Sequence, residues 1–133
     1  MEDKCYVLDG QYDQVGTAGI LRLDDQGRLS FTLDKQAGTR GKIKWIEKAL
    51  GQGDVHDRVE SGEQVVLFDT PVAGKKLKWP WNFRGRVFRI EDDAGRRWLI
   101  SLVSPGGGLM FFLSIGTGLP EKWKAALAEA GAN

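Results

Sequence analysis

The sequence predicts a mainly β, antiparallel domain of seven short strands followed by one amphipathic helix. Three observations carry this. Residues 75–103 alternate charged and apolar side chains through KKLKW, RVFRI and RRWLISLV, with the turn EDDAG inside the last pair. Residues 19–33, GILRLDDQGRLSFTL, alternate in the same way on both sides of a turn. Near the end, Trp123, Ala126, Leu127 and Ala130 fall at i, i+3, i+4 and i+7, the spacing of a helix with one buried stripe. At 133 residues, 41% hydrophobic and 28% charged, the chain has the size and composition of one domain, 1–133, with its own core.

Taken in order, Cys5–Leu8 reads as a short strand. Thr17–Leu23 sets Leu21 and Leu23 on one face and Ile20 and Arg22 on the other. Asp24-Asp25-Gln26-Gly27 is a turn, since Asp supplies a side-chain acceptor and Gly a positive φ. In Arg28–Leu33 the apolar Leu29, Phe31 and Leu33 alternate with Arg28, Ser30 and Thr32, the period-two pattern of a half-buried strand. Gly38–Gly41 interrupts this, and a short helix is expected near 42–50, with Ile43, Ile46, Ala49 and Leu50 on its apolar side and Gly51 as its stop. Trp45 falls off that stripe. Gln52–Gly62 is polar and acidic and reads as a loop.

Gln64–Asp69 contains the continuous apolar run Val65–Phe68, the pattern of a strand covered on both sides, and Pro71 ends it. Lys75–Trp79 alternates again, Leu77 and Trp79 inward and Lys76 and Lys78 outward, until Pro80, which lacks an amide donor. In the last hairpin Phe88 and Ile90 oppose Arg89, while Trp98, Ile100 and Leu102 oppose Arg97 and Ser101. Lys76, Lys78, Arg89 and Arg97 are therefore expected on one solvated face, with no acidic residue alternating among them. Ser104–Gly108 is a Gly-rich loop and Leu109–Leu113 has no assignable pattern. Pro120 suits the first position of the closing helix, and Gly131 its end.

The longest apolar run, Leu109–Leu113, has five residues, against the roughly 20 that a membrane helix needs. The opening MEDKCYVLDG is too acidic for a signal peptide. A single cysteine, Cys5, excludes an intramolecular disulfide framework, so a cytoplasmic protein is expected. The net charge of +1 is unevenly spread. Residues 1–73 hold nine Lys/Arg against thirteen Asp/Glu, whereas residues 74–97 hold eight against three. Such a layout can orient the domain toward an acidic partner, although strand faces exposed to water also commonly carry Lys and Arg.

No catalytic or metal signature is present, and no cofactor is expected. His56 is the only histidine, so any Ser–His–Asp or Cys–His arrangement has to use it. It sits between Asp54 and Asp57 in a polar segment, a setting typical of a surface imidazole. One His and one Cys cannot supply ordinary zinc ligation, and Asp54, Asp57, Glu60 and Glu63 lack calcium-loop spacing. Asp24/Asp25 and Asp92/Asp93 sit at hairpin tips, where turn chemistry accounts for them. GTRGK and SPGGG match no phosphate-binding fingerprint. The strongest functional signal is WPWNFRGR, residues 79–86, in which aromatic rings neighbour Arg84 and Arg86, a mixture suited to lipid headgroups at a membrane surface or to a peptide or nucleic-acid strand. Trp79 also fits the core stripe, and Trp81 and Phe83 can instead cap the end of a barrel. The candidate binding surface is Lys76, Lys78, Trp81, Phe83, Arg84, Arg86, Arg89 and Arg97.

The order of elements resembles a pleckstrin-homology-like barrel. GILRLDDQGRLSFTL is similar to the opening hairpin of small GRAM-type and bacterial members, VVLFDTPVAGKKLKW to their paired strands, RVFRIEDDAGRRWLISL to a later hairpin, and LPEKWKAALAEAG to the closing helix. The resemblance spans roughly Gly16 to Gly131, and the helix near 42–50 is an insertion in it. It implies a seven-stranded barrel of two orthogonal sheets with the C-terminal helix plugging one end. A calycin-like or other small barrel gives much of the same pattern. The resemblance further implies a binding or scaffold module. Members that bind phosphoinositide use a basic cluster between the first two strands. Here that loop is Asp24-Asp25-Gln26-Gly27, acidic, with only Arg28 beside it, which argues against that ligand at that place. The expectation is a non-catalytic interaction module with a protein partner. The alternative is a module that docks on anionic membrane through residues 75–97. Nucleic acid and metal are not expected as partners.

Overall fold

Period-two alternation and turn chemistry build the sheet seen in the computed structural model, which describes residues 1–8, 16–35, 40–80, 86–102 and 119–132. Among these, six strands run as β1 (Glu2–Leu8), β2 (Gly16–Leu23), β3 (Arg28–Leu33), β4 (Val65–Pro71), β5 (Val87–Glu91) and β6 (Arg97–Ser101). Three helices join them: α1 (Arg40–Leu50), α2 (Val55–Glu60) and α3 (Leu119–Glu129). All described strand pairings are antiparallel, in the order β4-β3-β2-β1-β6-β5, and the sheet curls into a half-barrel. The mainly β class is as expected.

The first hairpin forms as its sequence dictates. Asp24 Oδ1 accepts the amides of Gln26 and Arg28, both at 2.9 Å, and Gly27 adopts φ 75°. Arg28's amide, with that of Gln26, holds the Asp24 carboxyl below its usual range. Leu21, Leu23, Leu29, Phe31 and Leu33 all point into the core.

β1 is longer than the expected Cys5–Leu8 and lies in the middle of the sheet, between β2 and β6. Its charged start, Glu-Asp-Lys, hides the strand from a hydrophobicity reading. Asp3 shares the inward parity of Cys5 and Val7, yet its Oδ2 accepts the indole N–H of Trp123 at 2.9 Å and the Lys122 ammonium at 3.1 Å. A carboxylate at an inward position is tolerated when donors meet it.

β4 corrects the expectation of a strand covered on both faces. It is an edge strand, and Val66 is 54% exposed. Phe31 pairs with Phe68 but Thr32 pairs with Val66, so Leu67 is an extra residue in β4. This bulge lets the consecutive Leu67 and Phe68 both turn inward. Phe68 then stacks between Phe31 and Trp98, at ring-centroid distances of 6.5 and 5.9 Å.

Two further segments depart from the sequence reading. Gln52–Gly62 is not simply a loop, because Val55 and Val59 lie one turn apart and bury the short helix α2 against α1 and β4. Lys75–Trp79, expected as a full strand, makes a single bridge, Lys78 to Arg89. The Lys75 amide is used in a turn to Val72 O, Gly74 takes φ 78°, and Pro80 follows, which leaves too few residues for a ladder. The expected alternation survives: Leu77 is buried, Trp79 half-buried, and Lys76 and Lys78 are exposed.

α3 lies on the sheet with Trp123 and Leu127 in the core. Gly131 O accepts the Gly74 amide at 3.1 Å, tying the helix end to the segment after β4. α1 docks at the other end of β2, where Trp45 Nε1 donates to Thr17 Oγ1 at 3.2 Å. Residues 104–113, read as a loop and an unassigned run, lie outside the described residues.

Candidate binding site

The candidate site is built on the segment that failed to become a strand. Lys78 and Arg89 exchange two backbone hydrogen bonds, of 3.2 and 2.7 Å, so Lys75–Pro80 runs beside the edge of β5. Lys75 Nζ adds a second attachment, donating to Glu91 O and to Asp93 Oδ1, both at 3.1 Å. Thr70 Oγ1 donates to the same Asp93 oxygen at 3.0 Å, which joins β4 to the β5–β6 turn. These donors, Lys75 first, hold the Asp93 carboxyl below its usual range.

The turn itself rests on Asp92. Its Oδ1 accepts the amides of Ala94 and Arg96 at 3.0 and 2.9 Å, and its Oδ2 accepts the buried Trp98 indole at 2.8 Å. With Gly95 at φ 81°, the hairpin is fixed in register, Arg89 opposite Leu99 and Glu91 opposite Arg97. Fixed register places Arg89, Glu91 and Arg97 on one face of the hairpin, and the Lys78 bridge brings the neighbouring lysines to it.

The result is a shallow depression of about 60 Å³ lined by Lys76, Lys78, Arg89, Glu91 and Arg97. Four of the eight candidate binding residues thus come together. Arg86 is half-buried just before β5, its carbonyl accepting the Leu102 amide, and does not line the depression. Trp81, Phe83 and Arg84 lie outside the described residues. Trp79 is packed rather than displayed, its ring 5.2 Å from that of Phe88 and 5.1 Å from Lys124 Nζ.

Glu91 corrects the expectation of an acid-free face. It lies two residues from Arg89 on the same strand and opposite Arg97, so period-two counting along RVFRIE could have found it. Its Oε2 stands 3.8 Å from Arg97 Nε, beyond hydrogen-bond length, with both groups largely in water. Among the described residues, Lys76, Lys78 and Arg89 make no ion pair. Four cations therefore face one carboxylate.

Two other groups among the described residues could carry chemistry. Cys5 is fully buried, and that burial, with the Asp3 charge nearby, pushes its thiol far above the ordinary range. A sealed neutral thiol is a poor nucleophile. On α2, His56 Nδ1 stands 3.6 Å from Asp57 and 3.7 Å from Glu60, and the three ligating atoms lie within 4.8 Å of one another. The grouping of Glu60 with His56, one helical turn away, escaped the sequence reading. One imidazole and two water-exposed carboxylates fall short of the four protein ligands of a structural zinc site. No helix among the described residues is long and apolar enough to cross a membrane. Comparison of the chain with protein-family models, characterised proteins and solved structures gives no match.

Proposed function

We propose that this chain is a cytoplasmic, non-catalytic interaction module of the pleckstrin-homology-like kind, which docks an acidic segment of a protein partner on the depression at Lys76, Lys78, Arg89 and Arg97. In this proposal the curled sheet is a two-sheet barrel, with Lys75–Trp79 as its frayed seventh strand and α3 as its plug. The observation that supports docking is the convergence of four cations on one concavity, three of them without an ion-pair partner among the described residues. Leaving like charges together has a Coulombic cost that an incoming anion relieves.

Anionic membrane is the alternative ligand, favoured by the exposure of Lys76 and Lys78 and by the aromatic and basic residues 79–86 that follow them in the sequence. Membrane-binding clusters commonly assemble four to eight cations on an open surface. Here there are four, around a concavity that also contains Glu91, which fits a protruding side chain better than a lipid plane.

Reversing Lys76, Lys78 and Arg89 to Glu tests the proposal. The variant is expected to lose partner capture while its circular dichroism stays native, and wild-type capture is expected to weaken as salt rises, since screening acts over about 8 Å at physiological ionic strength. Undiminished capture by the variant contradicts docking at this face. Sedimentation with acidic but not neutral vesicles would favour the membrane alternative.

A further inference from the structure

We infer that, if the depression is the docking face proposed above, the group it selects is a phosphate monoester on a partner segment, in preference to a carboxylate. The depression is small and open, about 60 Å³, and its lining is almost wholly charged. Its cations are of two complementary kinds. Arg89 and Arg97 offer planar forks that grip two oxygens at once, and Lys76 and Lys78 supply point charges beside them. Lys75, the next cation along the chain, is already committed to Glu91 O and Asp93.

Glu91 acts as a resident competitor. Its carboxylate lies 3.8 Å from Arg97 Nε, close enough to attract the guanidinium and too far to hold it by a hydrogen bond. A carboxylate from a partner exchanges one monoanion for another and gains little. A phosphate monoester brings a charge of about −1.5 to −2 and three acceptor oxygens, so it takes Arg97 from Glu91 and engages the remaining cations as well. Glu91 itself repels a dianion more than a monoanion, so the preference comes from the four cations and Glu91 moderates it.

The test uses calorimetric titration of the whole chain with three probes: a short peptide carrying one phosphoserine, the same peptide carrying aspartate there, and phosphatidylserine vesicles. The phosphopeptide is expected to bind at least about tenfold more tightly than the aspartate peptide, given the stronger charge-assisted contacts. Arg97→Gln is expected to remove most of that preference. Glu91→Gln is expected to tighten the phosphopeptide more than the aspartate peptide, raising the ratio, because the repulsion it removes scales with ligand charge. Both positions are largely exposed, so the variants keep the fold, which a thermal melt verifies. Equal binding of the two peptides overturns the phosphate inference and leaves acidic docking standing. An unchanged ratio in Glu91→Gln overturns the role given to that residue. Binding of vesicles but of neither peptide overturns the docking proposal itself.

Discussion

Asp92 shows how much one side chain decides at the residue scale. Its two oxygens hold a turn and a buried indole together, with three donors at 2.8–3.0 Å. Removing it strands the Trp98 N–H in the core, and a buried donor left without a partner costs about 1–3 kcal/mol. Asp92→Ala is therefore expected to lower the denaturant midpoint by a corresponding amount. A midpoint equal to wild type would mean that water replaces the carboxylate. Part of this was legible in the sequence: the acidic pair at a hairpin tip reads as turn chemistry, but the reach of Asp92 to Trp98 depends on a six-residue closure that no pattern encodes. Cys5 is the opposite case. The sequence marks it only as the start of a short strand, whereas it is fully buried in a central one. Because its folded thiol is raised above the ordinary value of about 8.5, the folded state keeps a proton that the unfolded chain releases. Stability is then unaffected below that value and falls as pH rises past it, by up to about 1.4 kcal/mol per pH unit. Urea unfolding of wild type and Cys5→Ala between neutral and strongly alkaline pH checks this. The wild-type curve should fall more steeply, and parallel curves would contradict the burial of the thiol.

At the scale of elements, legibility follows local consistency. β2, the Asp24–Gly27 turn, β3 and α3 form where alternation, turn residues and helical spacing all agree. β4 misleads because a bulge and a double-sided burial both produce a continuous apolar run, and only pairing with β3 distinguishes them. Lys75–Trp79 misleads because alternation reports which side chains face inward and not whether a ladder forms. Its side chains point as expected while its backbone makes one bridge. α3 gives the sharpest prediction at this scale. Trp123 and Leu127 lie in the core, and Trp123 also hydrogen-bonds Asp3 of β1. Loss of a buried Trp typically costs about 3–5 kcal/mol, a large share of the 5–15 kcal/mol that holds a domain folded. Truncation after Pro120 is expected to abolish the cooperative melt and cause aggregation, and Trp123→Ala to lower the melting temperature sharply. A truncated chain that stays monomeric with an unchanged melting temperature would contradict the packing of α3 on the sheet.

For the whole molecule, the uneven charge was plain in the sequence, but the site it forms was not. Residues 74–97 carry eight Lys/Arg against three Asp/Glu, and counting alone treats them as one patch. The fold sorts them. Lys75 is bound to Asp93, Arg86 is half-buried, and Lys76, Lys78, Arg89 and Arg97 gather around Glu91. That sorting depends on the Lys78–Arg89 bridge and the hairpin register, both of them long-range features. The central claim, that this depression is where an anionic partner docks, is tested most directly by amide NMR of the isotope-labelled chain titrated with an acidic peptide. The account predicts shift changes concentrated at Lys76–Lys78, Arg89–Glu91 and Arg97, weakening as salt is raised. Changes confined to residues 79–86 or to the opposite side of the sheet, or changes indifferent to salt, would contradict it.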